Sequence, residues 1–159
     1  MSLPILAVDI DGVISLFGSE EMPDQATTRF QLVDGVPHRI SLVAGDRLLR
    51  LSERFELVWA SGWEDKANFY LPELLGLPEL PHVGFDGAAR GGAAHWKLGP
   101  LEEYGRGRAM AWIDDNFDQS CYDWAEARAE PALLVLTEPQ FGLEEAHVDA
   151  LNAWAGSLD

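Results

Sequence analysis

The pattern of apolar and polar positions predicts strands that alternate with helices along most of the chain. Short apolar runs rich in Ile, Val and Leu are typical of strands that are buried on both faces. Segments with apolar residues at helical spacing lie between these runs. The pattern predicts five strands, at residues 3–9, 56–60, 82–85, 108–113 and 132–136, and five helices, at residues 46–54, 64–75, 97–104, 118–129 and 143–158.

Turn and breaker residues modify this pattern. Residues 29–33 and 38–43 flank Asp34-Gly35, a dipeptide typical of hairpin turns, so we expect a β-hairpin there. Residues 15–28 and 88–94 predict irregular chain, and Pro72 should disturb the second helix. Strands separated by helices indicate parallel βαβ units. The sequence therefore predicts a single α/β domain over residues 1–159, with the hairpin as a small flap.

Polar residues follow three of the predicted strands. The first apolar run ends in Asp9-Ile10-Asp11-Gly12, the second stops at Ser61-Gly62 and the fourth at Asp114-Asp115. Open α/β sheets bind ligands at the carboxyl ends of their strands. Carboxylates gathered at that edge favour a hard cation such as Mg²⁺. The alternative is that the Asp-Gly and Ser-Gly pairs only form turns, in which Asp, Ser and Gly are ordinary residues.

The charge balance restricts the partners. The chain of 159 residues carries 27 acidic and 11 basic side chains, which gives a formal net charge of −16. Scattered basic residues offer no footprint for an extended nucleic-acid backbone, so we expect none to bind. Cys121 is the single cysteine, which excludes an internal disulfide and a Cys-based metal site. The N-terminal segment resembles neither a signal peptide nor a membrane anchor, which predicts a cytoplasmic location.

Asp9-x-Asp11, Ser61, Lys97 and Asp114-Asp115, in this order, resemble the four-motif signature of the haloacid dehalogenase-like (HAD) phosphohydrolase superfamily. The resemblance spans the chain from the first strand to the fourth. Residues 59–63, 67–68 and 75–78 further resemble a small bacterial branch linked to "Swiss Army Knife" RNA-repair proteins. The resemblance implies a three-layer, Rossmann-like parallel sheet with strand order 5-4-1-2-3. That order would bring the first, second and fourth strands together at the centre.

The resemblance also implies the chemistry of the first motif. Asp9 would be the nucleophile that forms an aspartyl-phosphate, and would also bind Mg²⁺. Asp11 would be the general acid/base, and its backbone carbonyl would bind the metal. Members of the superfamily with Asp at this position are phosphatases or phosphomutases. Gly12, directly after the acids, is expected to contact the substrate.

The other motifs would bind the phosphoryl group and the metal. Ser61 would donate its hydroxyl to a phosphoryl oxygen, and Gly62 would let the backbone approach closely. Lys97 would pair with the phosphoryl group and offset the repulsion among the acids; otherwise an isolated lysine is a solvated surface residue. Asp114 and Asp115 would complete the Mg²⁺ site. The expected activity is hydrolysis of a phosphomonoester, either a small molecule or a phosphorylated end.

The spaces between the motifs are too short for a cap domain. Residues 13–53 leave room for the hairpin and one helix, and residues 62–96 for one helix, a strand and loops. An open site with a small flap is therefore expected. Three alternatives remain: a non-catalytic module that binds Mg²⁺, phosphate or a protein, a phosphatase that processes nucleic-acid ends, and a receiver-like acidic domain. Asp-Gly-Val directly after the first strand fits the receiver pattern poorly.

Overall fold

The computed structural model describes residues 2–18, 26–85 and 95–158, and residues 88–94, predicted as a loop, lie outside them. Strands and helices alternate as the apolar pattern predicts. The strands are β1 (Ile5–Val8), β2 (Ser15–Leu16), β3 (Thr28–Val33), β4 (Val36–Ser41), β5 (Glu56–Trp59), β6 (Met110–Asp114) and β7 (Ala132–Leu136). The helices are α1 (Val43–Leu51), α2 (Ala67–Leu75), α3 (Leu98–Tyr104), α4 (Gln119–Ala127) and α5 (Glu145–Ser157).

The central sheet contains four parallel strands in the order β5-β1-β6-β7. These are the second, first, fourth and fifth predicted strands. The predicted five-strand order is wrong in its last member, because His82 forms only an isolated bridge with Trp59. The backbone N–H of Trp59 donates a hydrogen bond to the Pro81 carbonyl, and the backbone N–H of Val83 donates one to the Trp59 carbonyl. Pro81 itself has no N–H with which to extend the ladder. The described sheet therefore ends at β5.

Helices cover both faces of this sheet and produce three layers. Leu6 and Val8 of β1 belong to one core, and Ile5 and Ala7 belong to the other. This alternation follows from the two-residue period of a strand and explains why β1 is apolar at every position. The first core includes residues of α1, α2 and α5, and the second includes residues of α3 and α4. Each aliphatic side chain buried in this way stabilises the fold by about 1.5–3 kcal/mol.

The predicted hairpin is confirmed as the outer part of a small antiparallel sheet with the order β2-β4-β3. Asp34 and Gly35 have φ angles of 51° and 81°, and positive φ at both central residues is typical of a type I′ turn. The prediction of irregular chain at residues 15–28 is wrong at both ends, because Thr28 begins β3 and Ser15 begins β2; residues 19–25 lie outside the described residues. Ser15 and Leu16 form β2, which pairs with β4 and joins the flap to the loop after β1.

The helices differ from their predictions mainly at the ends. α1 lies three residues before its predicted position, because residues 52–54 turn the chain towards Phe55 and β5. A 3₁₀ turn at Glu64–Lys66 precedes α2, which continues through Pro72. The helix ends at Gly76 with a left-handed φ of 68°. Within the described residues, every helix is too short or too polar to cross a bilayer.

Candidate active site

The carboxyl ends of three neighbouring strands build the site. Asp9 follows β1, Ser61 lies beyond β5, and Asp114 is the last residue of β6. Because β1 pairs with both β5 and β6, these side chains converge at one edge of the sheet. They surround a cavity of about 230 Å³. The cavity is lined by seven predicted site residues and three others: Asp9, Asp11, Ser61, Gly62, Lys97, Asp114 and Asp115, with His95, Trp96 and Asn116.

Lys97 is the centre of the buried charge network. It is 4% exposed and lies directly before α3. Its Nζ lies 3.0 Å from Asp9 Oδ1, and it donates hydrogen bonds to Asp114 Oδ2 at 2.7 Å and to the Ala60 carbonyl at 2.8 Å. Three acceptors from the ends of three strands therefore surround one ammonium group. Lys97 is therefore a buried member of this network that lines the cavity, and not a solvated surface lysine.

The network changes the protonation of its members. Burial raises the pKa of Asp9 well above its ordinary value; Lys97 lowers it, and the charge of Asp114 raises it again. Burial alone would lower the pKa of Lys97, but Asp9 and Asp114 outweigh this effect and raise it. Lys97 therefore remains charged, whereas a second cation would favour ionisation of Asp9.

Asp9, Asp114 and Asp115 form a possible metal site. One oxygen from each carboxylate lies within 4.8 Å of the others. Asp114 also accepts hydrogen bonds from Trp112 Nε1 at 3.1 Å and from the backbone N–H of Asn116 at 3.1 Å. Burial raises the pKa of Asp115 to about 6, helped by the hydrogen bond with Asp114 and its charge. These effects are typical of acids that lie close together in a partly buried site.

Gly12 fixes the shape of the loop beside these acids. Its φ is 84°, and a Cβ there would lie 2.3 Å from Asp115 Oδ2. Thr137 donates a hydrogen bond from Oγ1 to the Gly12 carbonyl at 2.8 Å. Gly12 is absent from the cavity lining. Its observed role is to let Asp115 approach the loop after β1, whereas the predicted contact with substrate stays a prediction.

Ser61 and Gly62 form the opposite wall. Ser61 is 1% exposed, and its Oγ accepts a hydrogen bond from the backbone N–H of Trp63 at 3.2 Å. The hydroxyl hydrogen remains for donation into the cavity. A Cβ at Gly62 would meet no heavy atom within 4 Å, so the space beside its backbone is open. This arrangement has room for an anion next to Ser61.

The side chain of Asp11 lies outside the acidic cluster. Its carboxylate is 54% exposed and accepts a hydrogen bond from Trp63 Nε1, which is 3.3 Å from each oxygen. His38 of the flap lies 3.8 Å away. The two acids of the Asp-x-Asp motif therefore have different surroundings, as expected for different roles. Binding of metal by the Asp11 carbonyl stays a prediction.

Residues outside the predicted set also build the site. His95 lines the cavity and accepts a hydrogen bond at Nδ1 from the backbone N–H of Lys97. Its position two residues before Lys97 was the available signal. Asn116 adjoins the acidic pair and also lines the cavity. Trp63 is buried beside Asp11, and nothing in the sequence indicates that His38 reaches the same acid.

In comparisons with known proteins, the chain matches no protein-family model and no curated protein. The four-stranded parallel sheet with helices is compatible with a Rossmann-like fold. Because one fold supports many activities, the function must be argued from the side chains of the site.

Proposed function

We propose that this chain is a Mg²⁺-dependent phosphatase of the HAD type, which hydrolyses a phosphomonoester through an aspartyl-phosphate on Asp9. One observation carries the proposal: three carboxylates lie close together and two of them pair with Lys97, beside an open cavity. The carboxylates are those of Asp9, Asp114 and Asp115. Nucleophile, cation and candidate metal ligands are the components that phosphoryl transfer requires. The proposal includes the sheet order of the superfamily and the roles that its motifs give to these residues.

The donor set fits a hard divalent cation. Three carboxylates and one ammonium group carry a formal charge of −2 when all are ionised. Mg²⁺ prefers oxygen ligands and is commonly bound by one or two carboxylates. Asp9 and Asp115 would hold it, and Asp114 would orient Lys97 and add to the negative field. Bound there, Mg²⁺ would neutralise charge on the phosphoryl oxygens.

Covalent transfer begins with the Asp9 carboxylate. One of its oxygens attacks phosphorus, the bond from phosphorus to the leaving oxygen breaks, and that oxygen keeps the electron pair. Lys97 lowers the pKa of the nucleophile, which burial raises, and a cation bound beside it would lower that pKa further. Lys97 also stabilises the transferred group, and Ser61 donates a hydrogen bond to it. The buried network positions these groups before substrate binds.

Asp11 supplies and removes the proton. Its carboxylic acid protonates the leaving oxygen, and the resulting carboxylate takes a proton from the water that attacks the aspartyl-phosphate. The bond between Asp9 and phosphorus then breaks and releases inorganic phosphate. Its side chain is 54% exposed, so it is accessible to both a leaving group and water, whereas Asp9 faces only the cavity.

The substrate is proposed to be a small phosphorylated molecule or a phosphorylated end. The net charge of −16 disfavours extended nucleic acid, because few phosphates would be neutralised. A terminal phosphate needs only the local charge of Lys97 and the metal. The single cysteine agrees with the proposed cytoplasmic location, where disulfides are rare.

The test is hydrolysis of p-nitrophenyl phosphate by the purified chain with Mg²⁺, with chelator, and with Mg²⁺ restored. We expect turnover only with Mg²⁺, and loss of at least about 10⁴-fold in Asp9→Asn, because an amide is a poor nucleophile. Asp149→Asn on the exposed face of α5 is the matched control and should keep full activity.

Trapping of a phosphoenzyme by acid quench separates the possible results. Phosphate on the unchanged chain and none on Asp9→Asn would support the covalent route. Undiminished turnover by Asp9→Asn would refute it. Binding of Mg²⁺ and phosphate without any turnover would indicate a non-catalytic binding module instead.

A further inference from the structure

The Asp11 carboxylate accepts a hydrogen bond from Trp63, a residue that the sequence pattern does not place beside it. The indole Nε1–H of Trp63 points between the two carboxylate oxygens, 3.3 Å from each. Trp63 is 8% exposed, whereas the side chain of Asp11 is 54% exposed. A largely buried ring therefore fixes a carboxylate that would otherwise change rotamer in solvent.

The flap supplies a second contact to the same carboxylate. His38 on β4 places Nδ1 3.8 Å from Asp11 Oδ1 and 2.8 Å from Ser15 Oγ. Its ring also packs edge-on against Trp63, with 4.8 Å between the ring centroids. Ser15 lies on β2, which pairs with β4, so the flap itself fixes the position of His38.

The backbone beside Trp63 is strained. Glu64, the next residue, has a φ of 51°, which is rare for a residue with a side chain. Such conformations are unfavourable and persist only where the surrounding structure imposes them. Here the strained turn directs the chain from Ser61 through Trp63 into α2. The cost is therefore incurred at the point where the indole reaches Asp11.

We propose that Trp63 and His38 are positioning residues that hold the Asp11 carboxyl group in the orientation needed for proton transfer to the leaving oxygen. This inference rests on the proposed function and adds a role for the flap. The proton moves from Asp11 to the leaving oxygen as the bond from that oxygen to phosphorus breaks. Trp63 and His38 exchange no proton with the substrate.

The test uses two substrates that differ in their need for an acid. An alkyl phosphate has a basic leaving oxygen that requires protonation, whereas p-nitrophenolate leaves with little help. Positioned acids contribute about 10²- to 10⁴-fold to rate. In Trp63→Phe, which keeps an aromatic ring but removes the N–H, we expect kcat for the alkyl phosphate to fall about 10- to 100-fold. The kcat for p-nitrophenyl phosphate should change less than about 3-fold, a small part of that contribution.

The matched control is Trp124→Phe. The Trp124 indole also donates to a carboxylate, Glu102 Oε2 at 2.8 Å, but on α4 and away from Asp11. It should affect both substrates equally and weakly. His38→Ala should reproduce the substrate dependence of Trp63→Phe with a smaller loss, and His38→Asn, whose amide group lies where Nδ1 does, should recover part of it.

Each result supports or overturns the inference. A selective loss on the alkyl phosphate, with little change in KM, supports positioning of the acid. Equal losses on both substrates in Trp63→Phe would show a merely structural role and overturn it, while leaving the proposed phosphatase intact. No hydrolysis of either substrate by the unchanged chain would overturn both proposals.

Discussion

The two halves of the site are held by different forces. The inner half consists of Asp9, Lys97 and Asp114, which are all at most 6% exposed and joined at 2.7 and 3.0 Å. The outer half consists of Asp11, Trp63 and His38, where contacts are longer and one carboxylate is half exposed. Buried charges depend strongly on their partners, whereas exposed ones do not. The difference indicates a rigid inner half held by buried charges and an outer half held by weaker contacts with Trp63 and the flap.

Lys97→Met should produce the largest loss of stability. The change leaves Asp9 and Asp114 buried without their cation, and breaking a buried pair in this way costs about 3–5 kcal/mol. We expect the free energy of unfolding, measured by urea denaturation at pH 7 without metal, to fall by that amount. Part of the loss should be recovered at pH 5, because protonation removes the unpaired negative charge. A loss below about 1 kcal/mol, typical of surface pairs, would contradict the proposed importance of the network.

Gly12→Ala should have the next largest effect. The substitution places a side chain at positive φ, which costs about 1–2 kcal/mol, and pushes against the Asp115 carboxylate. Gly107→Ala is the matched control, because its φ is 78° and a Cβ there would meet nothing within 4 Å. Chemical denaturation should show a greater loss for Gly12→Ala, and Mg²⁺ titration should show weaker binding in that variant alone. Equal losses with equal Mg²⁺ affinity would show that the contact with Asp115 is unimportant.

Mg²⁺ should stabilise the chain more at pH 7.5 than at pH 5. The pKa of Asp115 is raised from 3.8 to about 6 in the folded chain, so the folded state binds more protons than the unfolded state between these values. Its contribution to stability is therefore present below about pH 4 and is lost as pH rises through 6. Above that pH the Asp115 carboxylate is ionised and therefore binds the cation more favourably. At ten times its dissociation constant, Mg²⁺ should add about 1.4 kcal/mol at pH 7.5.

The measurement is the shift in thermal midpoint on adding Mg²⁺ at each pH. For a domain of this size, about 1.4 kcal/mol corresponds to a shift of about 3–5 °C. In Asp115→Asn the shift should shrink and depend less on pH, and the dependence that remains would come from Asp9, whose pKa is also raised. A shift that is larger at pH 5 would have the wrong sign and would argue against a metal bound by these carboxylates.

The sequence predicts the inner half of the site much better than the outer half. Asp9, Ser61 and Asp114 follow apolar runs, and parallel strands bring such positions to one edge. Lys97 required the resemblance as well, because no periodicity identifies a single buried lysine. The meeting of His38 with Asp11 depends on how the flap folds back, which β2 determines and which a two-residue strand hardly signals. The missing fifth strand has a similar cause, since one proline stops the ladder at a single bridge.

Lys66→Met should have the smallest effect on the free energy of unfolding. It compares an exposed lysine of the outer region with the buried Lys97. Lys66 forms an ion pair with Asp34 at the tip of the flap, and both side chains are more than half exposed. Solvent screens this pair, so the free energy of unfolding should be unchanged within error, in contrast to Lys97→Met. Backbone amides of β3 and β4 should nevertheless exchange hydrogen faster, because the contact ties the turn to the segment before α2. A stability loss as large as that of Lys97→Met would show that the flap is part of the rigid half. Unchanged hydrogen exchange in β3 and β4 would show that the ion pair does not restrain the flap.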